Sequence, residues 1–230
     1  MNEQGLDTFS AYAGTAVAQR NRVLRNTYWL LALSLVPTVL GAWVGVTTGI
    51  LATMGTGLSL VLFLGGAFGF MYAIEKTKES STGVYVLLGF TFFMGLMLSR
   101  MLAMVLGFKN GPSLVMTAFG GTAAVFFTVA SVATVIKRDM SKMGNFLIVG
   151  VVLLIIAGIA NIFIQSSALM ITLSVLAIGI FSAFLLYDLK RIIDGGETNY
   201  ISATLAVYLD LYNIFQNLLA LLGIFGGERE

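Results

Sequence analysis

The 230-residue sequence contains neither cysteine nor histidine. Without cysteine the chain cannot form a disulfide, a thiolate nucleophile, an iron–sulfur cluster or a cysteine zinc site. Without histidine it cannot contain a Ser-His-Asp triad, a Ser-His intramembrane protease dyad or an H-E-x-x-H zinc helix. The usual nucleophile and base pairs of hydrolases are therefore missing, and we expect a protein that is not an enzyme and has no cofactor.

Charged residues are also scarce. They make up 10% of the chain, whereas hydrophobic residues make up 58%; a typical soluble domain is about 25% charged. A soluble domain of this size could not bury so much apolar surface in one core, so the remainder must face lipid. The net charge of +2 is too small to indicate nucleic-acid binding. The composition predicts an all-α membrane protein with the lipid bilayer as its surroundings.

Seven apolar runs of about 20 residues are each long enough to cross a ~30 Å hydrocarbon core as a helix. A polar tail (1–26) precedes the first run, which has no evident A-x-A cleavage site and is therefore predicted to be a retained helix. A short tail (226–230) follows the last run. The seven predicted spans are 27–46, 51–74, 84–108, 113–136, 145–164, 169–193 and 200–225.

The positions of lysine and arginine predict the orientation, because positive residues favour the cytoplasmic side of a membrane. If the N-terminus is cytoplasmic, the outside segments contain two positive residues, Lys109 and Arg229. Because the number of spans is odd, the C-terminus is then outside. The inside segments contain Arg20, Arg22, Arg25, Lys76, Lys78, Lys137, Arg138, Lys142, Lys190 and Arg191.

Glycines recur at four-residue spacing in the first two spans, a pattern that lets helices approach closely in membranes. The pairs are Gly41 and Gly45, Gly45 and Gly49, and Gly65 and Gly69. We favour a role of these glycines in packing within the bundle over a role in forming a dimer.

Two aspartates lie within the last two predicted spans, where an ionisable side chain costs at least ~2.5 kcal/mol at the bilayer centre and so indicates function. Asp188 precedes Gly195 by seven residues, and Asp210 follows Tyr200 by ten. In antiparallel helices this is a difference of only ~4.5 Å in depth, so the carboxyls can meet. Two carboxyls in a low-dielectric site cannot easily both ionise. We expect them to share a proton or, when ionised, to attract calcium transiently.

The alternative for Asp188 is a solvated residue at a helix end, partnered by Lys190 or Arg191. Asp210 is in mid-span, and polar neighbours suggest that the last helix faces protein or water and is central in the bundle. These neighbours are Tyr208, Tyr212, Asn213, Gln216 and Asn217.

Arg100 also lies within a predicted span, ~10 Å beyond the depth of Asp210. Two interpretations remain open. Its side chain either snorkels to the outer interface or is a positive guard at the outer mouth of a pathway.

Several motifs resemble those of a known family. The most specific is Gly195-Gly196-Glu197-Thr198-Asn199-Tyr200 with Leu211-Tyr212-Asn213-Ile214-Phe215; others are Val23-Leu24-Arg25-Asn26-Thr27-Tyr28, Gly120-Gly121-Thr122-Ala123, Val125-Phe126-Phe127 and Asp139-Met140-Ser141. They look like the bacterial YccA-like branch of the Bax inhibitor family, and the resemblance covers all seven spans. It implies a seven-helix fold with a central last helix. In some bacterial members it also implies a pH-dependent calcium leak gated by an aspartate pair, at the positions of Asp188 and Asp210. In those members an arginine on the second helix helps to stabilise the closed state of the leak. The second predicted span of this chain contains no arginine.

The resemblance implies a second role, as a substrate and modulator of the membrane-anchored protease FtsH in the bacterial inner membrane. The tail 1–26 would then be an extended handle for the protease. We favour the proton-sensitive calcium leak and keep protease modulation as the alternative. The candidate pathway residues or pair partners beside Asp188 and Asp210 are Arg100, Tyr208, Tyr212, Asn213, Lys190 and Arg191.

Overall fold

The computed structural model describes residues 3–140 and 142–228, and regular secondary structure in these ranges is entirely helical. The helices of the described chain are α1 (Glu3–Thr48), α2 (Ile50–Thr53), α3 (Thr56–Thr77), α4 (Ser81–Leu106), α5 (Gly111–Val135), α6 (Met143–Ile164), α7 (Ser167–Ile193) and α8 (Tyr200–Gly226). Every one except α2 contains a segment long and apolar enough to cross a membrane. The predictions of an all-α membrane protein and of seven spans are therefore confirmed.

The first helix begins much earlier than its predicted span. Helix α1 starts at Glu3 and continues without a break through Asn26 into the first predicted span. The prediction of an extended tail was therefore wrong over the described residues. The tail is polar but contains several Ala, Gln, Arg and Leu residues, which are good helix formers. A polar segment with this composition can therefore be helical. Met1 and Arg229, placed in the two tails above, lie outside the described residues.

The second predicted span is divided into two helices. Gly49 adopts a left-handed conformation with φ of 63° and ends α1, and α2 is then a single turn. Met54 and Gly55 are extended before α3 begins. A count of apolar residues cannot detect this break, because the residues around it are themselves mostly apolar.

Glycines bring α1 and α4 into close contact. A β-carbon on Gly41 would overlap the carbonyl oxygen of Phe92, and one on Gly95 would overlap that of Thr38. Gly45 faces Ser99 in the same way. The predicted packing role thus applies to Gly41 and Gly45. No atom approaches the corresponding positions of Gly65 and Gly69, which lie on an exposed face of α3.

Helix α8 is central, as predicted, because it contacts α1, α3, α4, α5 and α7. Helix α4 shares the interior and contacts α1, α2, α3, α5 and α8. In lipid, the association of such helices depends on packing and interhelical hydrogen bonds, since lipid tails are as apolar as the core. The fully buried side chains of the two helices include Leu87, Phe90, Thr91, Ile201, Val207, Ile214 and Leu219.

Candidate functional site between α7 and α8

The turn between α7 and α8 is built by glycine and asparagine. Gly195 adopts φ of 80° after the end of α7, a left-handed conformation that favours glycine. The amides of Gly195 and Gly196 donate to the carbonyls of Ile192 and Arg191. Asn199 then caps α8, because its side-chain oxygen accepts hydrogen bonds from the amides that open the helix. The turn therefore returns α8 antiparallel to α7.

Asn199 also ties this turn to a second one. Its side-chain nitrogen donates to the carbonyl of Lys78 at 2.9 Å and to the carboxylate of Glu79 at 3.2 Å. Lys78 and Glu79 lie between α3 and α4. One asparagine thus fixes the ends of two helical hairpins relative to each other.

The basic residues beside Asp188 have other acidic partners. Lys190 forms an ion pair with Asp194 one turn further along α7. Arg191 forms an ion pair with Glu197 at 3.1 Å. The interpretation of Asp188 as a helix-end residue paired with Lys190 is therefore wrong, whereas the positive charge of Arg191 acts on Asp188 from nearby.

The two aspartates of the adjacent helices face each other. Their carboxyl groups are close enough to interact directly. Asp210 is only 5% exposed, and Asp188 is partly buried. The Oδ2 atom of Asp210 accepts no hydrogen bond from any described residue. Because ionised carboxylates only accept hydrogen bonds, the two groups can bond to each other only when one carries a proton.

Two tyrosines connect the opposite face of α8 to its neighbours. The hydroxyl of Tyr208 lies 2.9 Å from the hydroxyl of Thr38 on α1. The hydroxyl of Tyr212 donates to the carbonyl of Met94 on α4 at 3.2 Å. Asn213 uses its amide within α8, where it donates to the carbonyl of Leu209. The two tyrosines therefore stabilise the position of α8 in the bundle, whereas Asn213 bonds only within its own helix.

Two cavities border α8 at different levels along its length. The first, the Asp188 crevice, has a volume of about 140 Å³ and is lined by Asp188, Arg191, Ile192, Glu197, Ser202, Ala203 and Ala206. The second, the Arg100 cleft, has a volume of about 270 Å³ and is lined by Leu51, Ser59, Leu60, Phe63, Met97, Leu98, Arg100, Met101, Ile162, Tyr212 and Gln216. Along α8, the crevice ends at Ala206 and the cleft begins at Tyr212, ~9 Å further on. Asp210 lies between these levels.

The cavities are nevertheless separate. Successive residues of an α-helix are rotated by ~100°, which turns Asp210 towards one side of α8 and Tyr212 towards another. Asp210 faces α7, and Tyr212 faces α4. Packed side chains of α8 therefore stand between the crevice and the cleft.

The site offers few ligands for a metal ion. Among the residues whose side chains the structure describes, no group of three or more acidic residues could hold a metal. Asp188 and Asp210 supply four carboxylate oxygens, whereas calcium takes six to eight oxygen ligands. Two carboxylates alone are therefore too few ligands for a permanent calcium site.

The sequence predicted that Asp188 and Asp210 could meet, but it did not identify the residues that hold α7 and α8 in place. Asn199 carried a usable signal, since asparagine directly before an apolar helix is a favoured cap. Thr38, which contacts Tyr208 from 170 residues away, carried none.

A family model described as "Inhibitor of apoptosis-promoting Bax1" matches residues 20–227. Curated relatives are similar over almost their whole length. The chain is 39% identical to the "Modulator of FtsH protease YccA" of Escherichia coli K12 over 93% of this chain and 95% of that protein. It shows the same identity to a protein of another Escherichia coli strain named "Inner membrane protein YccA". It is 37% identical to an "Uncharacterized membrane protein" of Vibrio cholerae, over 91% of this chain and 92% of that protein.

Proposed function

Because the chain belongs to the Bax inhibitor-1 family of membrane proteins, we propose that it forms a proton-sensitive cation leak in the bacterial inner membrane, with calcium as the ion and Asp188 and Asp210 as the gate. One observation carries the proposal. The nearly inaccessible carboxyl of Asp210 faces the carboxyl of Asp188 across two helices that cross the membrane. Such a pair is costly in lipid unless a proton or a cation compensates its charge.

The pair couples protonation to the separation of α7 and α8. When one proton is shared, a hydrogen bond between the carboxyls holds the two helices together. When that proton leaves, two negative charges face each other in a low-dielectric site and repel. The repulsion is relieved when the helices move apart or a hard cation enters between the oxygens. Flux should therefore rise as the pH rises.

The two cavities supply the approaches to this gate. The Asp188 crevice reaches the pair from the turn between α7 and α8, and the Arg100 cleft reaches the neighbouring level of α8 from its other end. They are separate in the present arrangement, which is the one we assign to the closed state. Displacement of α8 from α7 would connect them.

Calcium flux into vesicles containing the purified protein tests the leak. We expect wild-type flux to increase with pH and Asp210→Asn to abolish that dependence, because an amide cannot lose the proton. Asp194→Asn is the matched control, since this aspartate is on the same hairpin but is half exposed and pairs with Lys190. An unchanged pH profile in Asp210→Asn would contradict the proposal.

A second candidate function is modulation of FtsH, as a substrate that occupies the protease. The observation that favours it is the 39% identity, over nearly the full length, to a relative named for that activity. The predicted cytoplasmic tail 1–26 also precedes the first predicted span and contains Arg20, Arg22 and Arg25. A processive protease needs such a segment outside the membrane to begin pulling.

The half-life of the protein in cells tests this second function. We expect deletion of residues 1–20 to lengthen the half-life, because the protease then lacks its handle. Asp210→Asn should leave the half-life unchanged, which separates this function from the leak. If the shortened chain were degraded as fast as the intact one, the modulator proposal would lose its support.

A further inference from the structure

The Arg100 cleft contains a positive charge without a counter-charge. Arg100 is exposed, and none of the ion pairs among the described residues includes it. No acidic side chain is present among the described residues that line the cleft. The cleft therefore presents an unneutralised guanidinium next to an otherwise largely apolar wall.

A second polar group in the cleft also lacks a partner. The hydroxyl oxygen of Ser59 is buried, and no described residue forms a hydrogen bond with it. Gln216 of α8 adds an amide to the same lining. A buried hydroxyl without a partner is costly, so this arrangement favours a ligand that accepts hydrogen bonds.

The position of these groups matches the boundary of the membrane. Arg100 precedes the end of α4 by six residues, and Ser59 follows the start of α3 by three. These separations correspond to depths of ~9 Å and ~4.5 Å below the helix ends, at the same end of the bundle. An arginine at this depth reaches the level of the lipid phosphates with its long side chain.

The rest of the lining is suited to hydrocarbon. Leu60, Phe63 and Met97 line the cleft from α3 and α4. Gln216 precedes the end of α8 by ten residues, so the cleft extends ~15 Å below that end. Apart from Gln216 and Tyr212, the lining below Arg100 and Ser59 is apolar, so it can hold an acyl chain beneath a charged headgroup.

We propose that the Arg100 cleft is a binding site for one anionic phospholipid of the leaflet at the C-terminal end of α8, the outer leaflet in the predicted orientation. The guanidinium of Arg100 binds the lipid phosphate, since its planar donors match phosphate oxygens. Ser59 donates to a headgroup or ester oxygen, and an acyl chain lies along Phe63 and Met97. Charge complementarity selects this occupant over a zwitterionic lipid, whose cationic headgroup would lie near the guanidinium of Arg100.

Binding of defined lipids to the full-length protein in non-ionic detergent tests the site. Phosphatidylglycerol and phosphatidylcholine with identical acyl chains are titrated separately, and bound lipid is counted by native mass spectrometry. We expect phosphatidylglycerol to bind about tenfold more tightly, as for one charge-assisted contact. Arg100→Gln should remove this preference, whereas Arg100→Lys should keep part of it because the charge remains.

Two control variants distinguish this site from general surface charge. Lys109→Gln removes a positive residue at the same end of the bundle but outside the cleft, and it should keep the preference. Met97→Trp fills the apolar part of the cleft and should weaken the binding of both lipids. Neither Arg100 variant loses an ion pair, so both should fold as the wild type does.

Three results would overturn the proposal. The first is equal phosphatidylglycerol affinity in the wild type and in Arg100→Gln. The second is a loss of phosphatidylglycerol affinity in Lys109→Gln as large as the loss in Arg100→Gln. The third is displacement of the lipid by the same concentration of inorganic phosphate, which would identify the occupant as a free anion. All three are measured without ion flux and so do not depend on the proposed leak.

Discussion

At the scale of single residues, polar side chains in this bundle bind each other across helices that lie far apart in the sequence. Tyr208 extends from α8 to Thr38 of α1 and also approaches the carbonyl of Thr91 on α4. Inside a membrane there is no water to replace such a bond. These contacts therefore fix the position of the helix that carries Asp210.

We expect Tyr208→Phe to destabilise the protein by about 0.5–1.5 kcal/mol, because it removes the bond to Thr38 and leaves that hydroxyl without its interhelical partner. Unfolding of the purified protein in detergent measures the change. Tyr85→Phe is the control, since Tyr85 is 74% exposed and should lose almost nothing. Equal losses in the two variants would show that the Tyr208 hydroxyl contributes no net stability.

At the scale of helices, the contact between α1 and α4 depends on backbone approach. Gly41, Gly45 and Gly95 lie where any side chain would overlap the facing helix. Close approach increases van der Waals contact, which is a main source of helix association in lipid. These glycines therefore allow the close contact between α1 and α4. Thr38, whose hydroxyl contacts Tyr208, lies in this interface.

We expect Gly95→Ala to destabilise the protein by about 1–3 kcal/mol, because its methyl group forces α1 and α4 apart. Gly69→Ala is the matched control, since nothing lies near its added carbon. There the better helix propensity of alanine should leave stability unchanged or raise it by up to about 1 kcal/mol. Thermal unfolding midpoints in detergent measure both. Gly95→Ala with wild-type stability would mean that the interface adapts without loss.

At the scale of the whole molecule, seven membrane spans place consecutive turns on alternate sides of the membrane. The turn at Thr198 and the turn at Lys109 lie at opposite ends of the bundle. The distribution of lysine and arginine predicts that the Thr198 end is cytoplasmic. This orientation decides which side of the membrane the Asp188 crevice and the Arg100 cleft face.

Single introduced cysteines can test the orientation without background labelling, because the natural chain has none. We expect Lys109→Cys to react with a membrane-impermeant maleimide in spheroplasts. Thr198→Cys should react only after the membrane is permeabilised. Both positions are exposed, so accessibility within the fold does not limit either reaction. The reverse labelling pattern would invert the proposed orientation.

The sequence by itself determined the membrane class and the number of spans, and it predicted that Asp188 and Asp210 lie at similar depths. These properties follow from hydropathy and from the constant rise of a helix, both of which are local. The same information did not reveal the break between α2 and α3, because it depends on the backbone conformations of Gly49, Met54 and Gly55. It also did not show that α1 extends back to Glu3, because a polar segment can be helical.

Only the tertiary structure decided which groups meet. It paired Lys190 with Asp194 and Arg191 with Glu197, and so left the carboxyl of Asp188 facing Asp210. It placed Arg100 beside an unpartnered serine hydroxyl in one cleft, and Thr38 beside Tyr208. These arrangements depend on the rotation of each helix about its axis and on how closely neighbouring helices approach. Packing between helices distant in the sequence sets both, and no local pattern records it.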